Sequence, residues 1–493
     1  MLTALFCGAD QTVTGSMHHF EYLEKPDATP FRFCVDAGFF QVGEHIREWH
    51  LNHQLFFSPS ELDAVVLTHA HLDHVGRLPY LVAKGFNGPV YATEITAKIA
   101  DVVMTDAAKQ QFNAFVSVQR GQMQMTREEE AFMKGMDAHQ WVLYSNSDVQ
   151  KTNGLFHMVA YHQAIDIHPN LTVTFFDAGH ILGSAWITIT EKSTGKTLVC
   201  SGDLGSVDKP FIRDPELASN LENVEAVFIE TTYGNKLHQT TNGRPELARL
   251  VSETARRGGM TLIPAFAVQR SQEIIFMLIE GMENGTIPRM PIYLDSPMAE
   301  AVTTVFAAHF KQFDSEAQSM QTHLHKQIFN HPLLHIVHTR DQSKELNYQE
   351  EPAVIIAGSG MMNGGRILKH LAFHGRSRKN TLLLVGYQAE GTIGRKLSEG
   401  EKVVQVDGKD VHVQLEVHQM EGFSGHGDRD MLQKWLFSAL PQRIYREKID
   451  TQLYLVHGEP EGQAGFKEYL HEKVGDNLAV HIPGMGETAV IWH

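Results

Sequence analysis

The segment His69-Ala70-His71-Leu72-Asp73-His74 constrains this chain more than any other stretch of its 493 residues. Four side chains able to hold a metal fall within six positions, directly after the apolar run 64–67. A loop leaving the end of a core strand can bring such donors around one point a few ångströms across. Zinc takes imidazole nitrogen and carboxylate oxygen at roughly 2.0–2.2 Å, which suits that density. A solvated histidine-rich turn needs neither the internal aspartate nor the apolar strand before it. The chain must therefore fold so that strand ends converge on a common site.

Other short apolar segments of the first half close in the same manner. Val35-Asp36-Ala37-Gly38, Asp177-Ala178-Gly179-His180 and Ser201-Gly202-Asp203 are polar clusters at predicted strand ends, where a scaffold displays its chemistry. A helical insertion over about 94–139 interrupts this pattern. From about Arg244 the style changes. Strands near 260–263, 291–294, 353–356 and 381–385 alternate with helices near 244–257, 269–283, 299–318 and 366–374. That alternation predicts βαβ units and a parallel sheet. After about Lys396 the short-strand style returns. One β-rich domain in two pieces, 1–235 and 396–493, interrupted by an α/β domain over 236–395, accounts for the whole pattern.

Composition excludes several classes. With 42 Lys+Arg against 58 Asp+Glu the net charge is −16, which argues against a uniformly basic polyanion binder. No run of eighteen apolar residues offers a membrane span, and residues 1–15 lack the features of a secretory signal. Three scattered cysteines, Cys7, Cys34 and Cys200, cannot build a disulfide framework and favour a reducing compartment, so a cytoplasmic location is expected.

His-x-His-x-Asp-His is the signature of the metallo-β-lactamase fold, and the chain resembles that family. Phe228-Ile229-Glu230-Thr231-Thr232-Tyr233-Gly234 resembles the acidic motif A of its β-CASP nuclease subfamily. Phe423-Ser424-Gly425-His426-Gly427-Asp428 resembles motif B, and Leu455-Val456-His457-Gly458-Glu459 motif C. The resemblance implies an αββα metallo-β-lactamase sandwich interrupted by a parallel-sheet α/β β-CASP domain, a lid over the metal cleft. A histidine at motif C is typical of RNA-processing members. The opening Gly8-Ala9 with Val13-Thr14-Gly15-Ser16, and the wording of the His-Asp cluster, are most similar to a bacterial branch related to the eukaryotic pre-mRNA 3′-end cleavage endonuclease. They are less similar to ribonuclease J.

The resemblance also implies a site. One zinc would take His69, His71 and His180. The second would take Asp73, His74 and a further histidine, His457, with Asp203 bridging the pair and manganese an alternative metal. Asp36 would orient ligand imidazoles through hydrogen bonds. A two-metal-activated hydroxide, oriented by Asp203 or Asp73, would attack an RNA phosphodiester. His426, tied to Glu230, would protonate the leaving 3′ oxygen, because a nearby carboxylate raises a histidine pKa and fixes its tautomer. Products would be a 5′-phosphate and a 3′-hydroxyl. Single-stranded RNA is the expected partner, with no membrane; a homodimer, and endo- or 5′-exonuclease action, stay open.

Two further features bear on RNA. The loop carrying Gly358, Ser359, Gly360, Gly364 and Arg366 follows a strand and opens a helix, and would offer backbone N–H groups to an anion; a tight turn is the plain alternative. From Arg366 to Lys396 seven basic residues, among them Arg376, Arg378 and Lys379, face one acid, Glu390. They would line a groove for the RNA backbone; a solvated helix face is the plain alternative. His18, His19, His162, His323, His325, His374 and His493 read as surface or structural groups. Three rival functions stand beside the ribonuclease. A thioester or lactone hydrolase would need neither Glu230 nor His426. A DNA nuclease would share the family, and a silent scaffold would not keep all seven expected metal positions filled.

Overall fold

The computed structural model describes residues 1–121, 126–133, 135–239, 242–324 and 328–493; His325 lies outside them, as does the side chain of His323. Backbone contacts group the chain into two units. The first comprises Met1–Ser206, Asp214–Leu237 and His426–His493; the second comprises Val207–Arg213 and His238–Gly425. No described helix is long and apolar enough to cross a membrane.

The first unit is an αββα sandwich. One seven-stranded sheet runs in the order Thr488–Trp492, Leu2–Phe6, His18–Tyr22, Phe31–Val35, Ala64–Val66, Val90–Thr93, Phe156–Val159. The other runs Ala479–His481, Gln452–Val456, Val224–Glu230, Thr197–Cys200, Ala185–Glu191, Leu171–Asp177, Ile165–His168. The alternation of side chains along a strand explains the layers. In Val224–Glu230, Ala226 and Phe228 enter a core shared with Phe6, Phe20, Phe33, Phe175 and Ile187. Val227 and Ile229 instead meet Leu432, Trp435, Leu436, Phe466 and Leu470 of helices Arg429–Ala439 and Pro460–Val474. Phe6 and Phe228, from opposite sheets, stack with centroids 5.2 Å apart.

Strand direction places the polar clusters. Phe31–Val35 and Ala64–Val66 run parallel, as do Thr197–Cys200, Val224–Glu230 and Gln452–Val456. Leu171–Asp177 is antiparallel to Ala185–Glu191, which is antiparallel to Thr197–Cys200. It therefore points the same way as Thr197–Cys200. Asp36, His69, His180, Asp203, Glu230 and His457 all sit at or just beyond carboxyl ends of these strands.

The second unit holds a wholly parallel six-stranded sheet, ordered Leu334–Ile336, Ile292–Asp295, Val354–Ala357, Thr261–Pro264, Thr381–Leu384, Glu416–Gln419. Every residue of Val354–Ala357, Thr261–Pro264 and Thr381–Leu384 is buried, the pattern of a sheet covered on both faces. Helices Arg244–Arg256, Arg270–Glu283 and Arg366–His374 lie close to their expected positions. The helix expected over 299–318 is instead two, Pro297–Ala308 and Ser315–Leu324. Asp314 Oδ1 accepts from Ala317 N at 2.7 Å and so caps a fresh start.

A larger difference concerns residues 396–425, expected with the β-rich pieces. Val404, Val406, Val411, Val413 and Leu415 share a core with Leu262, Ile355 and Leu382 of the second unit. Glu416–Gln419 completes its sheet beside Thr381–Leu384. Val403–Val406, paired with Lys409–His412, alternates exposed and buried residues because it packs on one side only. That period of two is why its sequence looks like the first unit.

Candidate metal centre

Asp36 organises the loop that carries the His-Asp cluster. It stands at φ +61°, just after the strand Phe31–Val35. Its Oδ1 accepts from Thr68 N at 2.8 Å, and its Oδ2 accepts from Thr68 Oγ1 at 2.8 Å and from His74 Nδ1 at 2.7 Å. This fixes the His74 ring with Nε2 turned towards Asp203, 3.3 Å from its Oδ1. The backbone holds the same loop from the other side: Ser16 N donates to Asp73 O at 2.8 Å and Ala37 N to His74 O at 2.7 Å. Gly38 must be glycine, because a Cβ there would lie 1.6 Å from Asp73 O.

Two groups of donors result. In the first, one ligand atom from each of His69, His71, His180 and Asp203 lies within 4.8 Å of every other. His71 Nδ1 is 3.1 Å from His69 Nε2 and 3.0 Å from His180 Nε2, and Asp203 Oδ2 is 3.4 Å from His69 Nε2. In the second group, Asp73, His74 and His457 meet the same criterion. His457 Nε2 is 3.4 Å from Asp73 Oδ2, and His457 Nδ1 is 3.5 Å from Asp203 Oδ1. Asp203 thus reaches both groups.

The chemistry of these donors fits divalent cations. His74 Nε2 and Asp203 Oδ1 face each other at 3.3 Å in a buried setting. Burial works against a charged His74, but Asp203 and Asp36 hold it well above its ordinary pKa, and a cation between the two atoms would take the place of that proton. Burial pushes His69 and His71 down, His71 to about 4, so both imidazoles present neutral lone pairs near pH 7. Burial would raise Asp73 and Asp203, but the neighbouring histidines outweigh it and keep both carboxyls ionised, Asp73 at about 2. Neutral imidazole and ionised carboxylate are the forms that ligate zinc.

Beside this cluster stands an acid–base pair. Glu230 closes the strand Val224–Glu230 and is fully buried. Its Oε1 accepts from Leu204 N at 2.8 Å and from His426 Nδ1 at 3.1 Å, and its Oε2 accepts from Thr232 N at 3.2 Å. Burial works against a charged His426, yet Glu230, Asp203 and Asp73 outweigh it and hold its pKa up at about 9. His426 also comes within ligand reach of Asp203 and His457.

All ten expected residues of the metal site and its acid–base pair therefore converge in the first unit. Sequence reasoning missed their supports: Thr68, the Leu204 amide, and Ser201, whose Oγ accepts from Glu230 N at 2.9 Å. These are a hydroxyl, an amide and another hydroxyl at strand ends, with nothing in residue type to mark them.

The glycine loop and the basic residues after it flank different ends of the second unit's strands. Gly358, Ser359, Gly360 and Gly364 follow the carboxyl end of Val354–Ala357, whereas Arg376, Arg378 and Lys379 precede the amino end of Thr381–Leu384. Both strands run parallel to Thr261–Pro264, so the two sets leave opposite edges of the sheet. Several loop amides are already used: Ser359 N donates to Gly364 O, Met362 N to Ser359 O, Ile367 N to Gly358 O and Asn363 N to Ser359 Oγ. Arg366 is held by the buried Asp295, which also accepts from Ser343 Oγ at 2.5 Å and His370 Nε2 at 2.6 Å.

Three family models match parts of the chain. Residues 34–134 match the metallo-beta-lactamase superfamily, 271–397 the Beta-Casp domain, and 410–483 the Zn-dependent metallo-hydrolase RNA specificity domain. The chain is 36% identical over 459 residues to Ribonuclease TTHA0252 of Thermus thermophilus, covering 92% of each. It is 32% identical over 408 residues to Transcription termination factor FttA of Methanosarcina mazei, covering 80% of this chain and 60% of that one. Against FttA of Methanocaldococcus jannaschii the identity is 32% over 446 residues, 89% of this chain and 64% of that one. The chain thus spans about three fifths of the length of those archaeal relatives. A solved protein of unknown function from Enterococcus faecalis shares the fold at a TM-score of 0.51 and 12% identity, with 99% of both chains covered.

Proposed function

The chain belongs to the β-CASP family of metallo-β-lactamase-fold hydrolases, and from that premise we propose that it is a ribonuclease cutting single-stranded RNA with two zinc ions. The observation that carries this reading is the sharing of Asp203 between two donor groups, with the Glu230–His426 pair beside them. His69, His71, His180 and Asp203 would hold one ion, and Asp73, His74, His457 and Asp203 the other, with manganese an alternative. Cations held by these residues would supply a water of lowered pKa and offset the charge of the attacked phosphodiester.

The chain's own residues supply the rest. Asp73 and Asp203, both ionised, hold the donors in register and orient the attacking water. His426 donates its Nδ1–H to Glu230, so the proton on Nε2 is the one available to the leaving group. Delivered to the 3′ oxygen as the P–O bond breaks, it leaves a 3′-hydroxyl upstream, while the water's oxygen stays on the downstream 5′-phosphate. Positioned proton transfer of this kind contributes about 10²–10⁴-fold to a rate. The relative called a ribonuclease, covered over 92% of its length, supports RNA as the substrate, and Arg376, Arg378 and Lys379, all exposed, are candidates for contact with its backbone.

The test incubates zinc-loaded protein with end-labelled linear RNA, circular RNA of the same sequence, matching DNA, and a simple thioester. RNA cleavage with DNA and thioester intact is expected. Cleavage of DNA alone, or of the thioester alone, would overturn the reading. Circular RNA left whole while linear RNA is degraded would rule out endonuclease action under those conditions.

A further inference from the structure

We propose that Phe266 and Tyr387 of the second unit form a stacking subsite for an unpaired base of single-stranded RNA. The inference rests on the ribonuclease reading and adds to it a place where the substrate is held by its bases. Phe266 is 42% exposed and Tyr387 62%; neither ring stacks on another aromatic among the described residues, and Tyr387 lies within electrostatic reach of Arg395. Phe266 comes two residues after Thr261–Pro264, and Tyr387 three after Thr381–Leu384. These strands are adjacent and parallel, so both rings leave the carboxyl edge of the sheet, the edge at which α/β sheets take ligands.

An exposed ring alone means little; the frame around this one means more. A Cβ at Gly360 would lie 2.9 Å from Phe266 Cδ2, and one at Gly386 would lie 3.5 Å from Phe266 Cε2. The ring therefore rests against two bare backbones. Gln388, itself buried, donates from Nε2 to Gly360 O at 3.1 Å and to Gly386 O at 3.0 Å. It ties together the two loops that flank the ring. Phe266 is thus fixed in place while much of its surface stays open to solvent, so little further ordering is needed when a flat partner arrives.

The occupant follows from size. A stable protein partner needs about 800 Å² of packed surface per side, which two rings in a glycine and polar frame do not offer. A base needs one ring face, and stacking accepts any base.

The experiment measures fluorescence anisotropy of a labelled short oligouridylate with the full chain in EDTA. Phe266→Leu and Tyr387→Leu are each expected to weaken binding about 5- to 100-fold, and Phe266→Trp to restore it. With metal added, the loss should appear in KM more than in kcat. An oligonucleotide with abasic positions should lose the same factor with wild type and nothing further with Phe266→Leu. Phe266→Leu keeps apolar volume, and exposed Tyr387 has little packing to lose, so both variants should keep the wild-type Tm. Variants that bind as wild type, on RNA that wild type cleaves, overturn the subsite and leave the ribonuclease standing. A changed elution volume with unchanged RNA affinity would make the rings a protein contact and overturn it equally. A wild type that cleaves no RNA overturns the ribonuclease reading, and the subsite with it.

Discussion

His426 Nδ1 lies 3.1 Å from Glu230 Oε1, an oxygen that also accepts from Leu204 N at 2.8 Å. Backbone and ring thus fix one carboxylate, and the carboxylate fixes the ring. Burial alone would push His426 below its ordinary pKa; Glu230, Asp203 and Asp73 hold it up at about 9. Cations on the two aspartates cancel their share and leave Glu230 as the main support. Glu230→Gln should therefore lower kcat about 10²-fold and move the alkaline limb of the kcat/KM profile to lower pH, because His426 then gives up its proton earlier. A limb that stays in place would remove Glu230 from this role.

Among the metal donors Asp36 meets His74 alone, 2.7 Å away. Asp36→Ala frees the His74 ring and leaves the Thr68 amide without its acceptor. Partners of this kind are worth about 10- to 100-fold in metal affinity. Zinc retained against a graded chelator should fall by that factor, with a lower Tm. Unchanged retention would show that the loop holds His74 without Asp36.

The two donor groups predict metal counts. His71→Ala and His457→Ala should each bind one zinc where wild type binds two, by elemental analysis of the purified protein. His426 is close enough to Asp203 and His457 to ligate, yet as a proton donor it should be dispensable for binding. His426→Ala should keep both ions and lose activity. Loss of an ion in that variant would make His426 a ligand.

Legibility in the sequence followed distance along the chain. His69 to His74 declare themselves because a single loop after a single strand makes the cluster. Asp36, His180 and Asp203 were readable as polar strand ends, since parallel strands share an edge. Glu230, His426 and His457 lie far apart in sequence and became visible only through the three motifs. The loop at Gly358 and the bases at Arg376 are some eighteen residues apart, yet a helix between parallel strands carries them to opposite edges. Residues 396–425 have the period of a half-exposed hairpin, which names a strand but not the sheet it joins.

Arg366 can be assigned by experiment either to the fold or to RNA. It is ion-paired to the fully buried Asp295 and also donates to Val337 O at 3.1 Å. Removing one partner of a buried pair costs about 3–5 kcal/mol, and the partial exposure of Arg366 brings this nearer about 2–3. Arg366→Ala should lower the Tm and leave the salt dependence of RNA binding unchanged. A single-strand phosphate contact would instead reduce the slope of log K against log salt by about 0.7. That reduction at unchanged Tm would return Arg366 to the RNA.

Histidines outside the metal site should set the protein's acid stability. Burial is the main cause in His18, His19 and His374, and it pushes them to about 3, 4 and 4. In the unfolded chain each titrates near 6.5. Between about pH 6.5 and pH 4 the unfolded state therefore binds more protons, so their stabilising share is complete above pH 6.5 and lost as pH falls. Each changes stability by about 1.4 kcal/mol per pH unit in that window, about 4 for the three together. His19 stacks on Phe57 at 4.6 Å, and its Nε2 has no hydrogen-bond partner among the described residues. His19→Phe therefore keeps the stack and removes only the titration. Its Tm should drop less than that of wild type between pH 7.5 and pH 5.0; an equal drop would mean that His19 is already protonated in the folded protein.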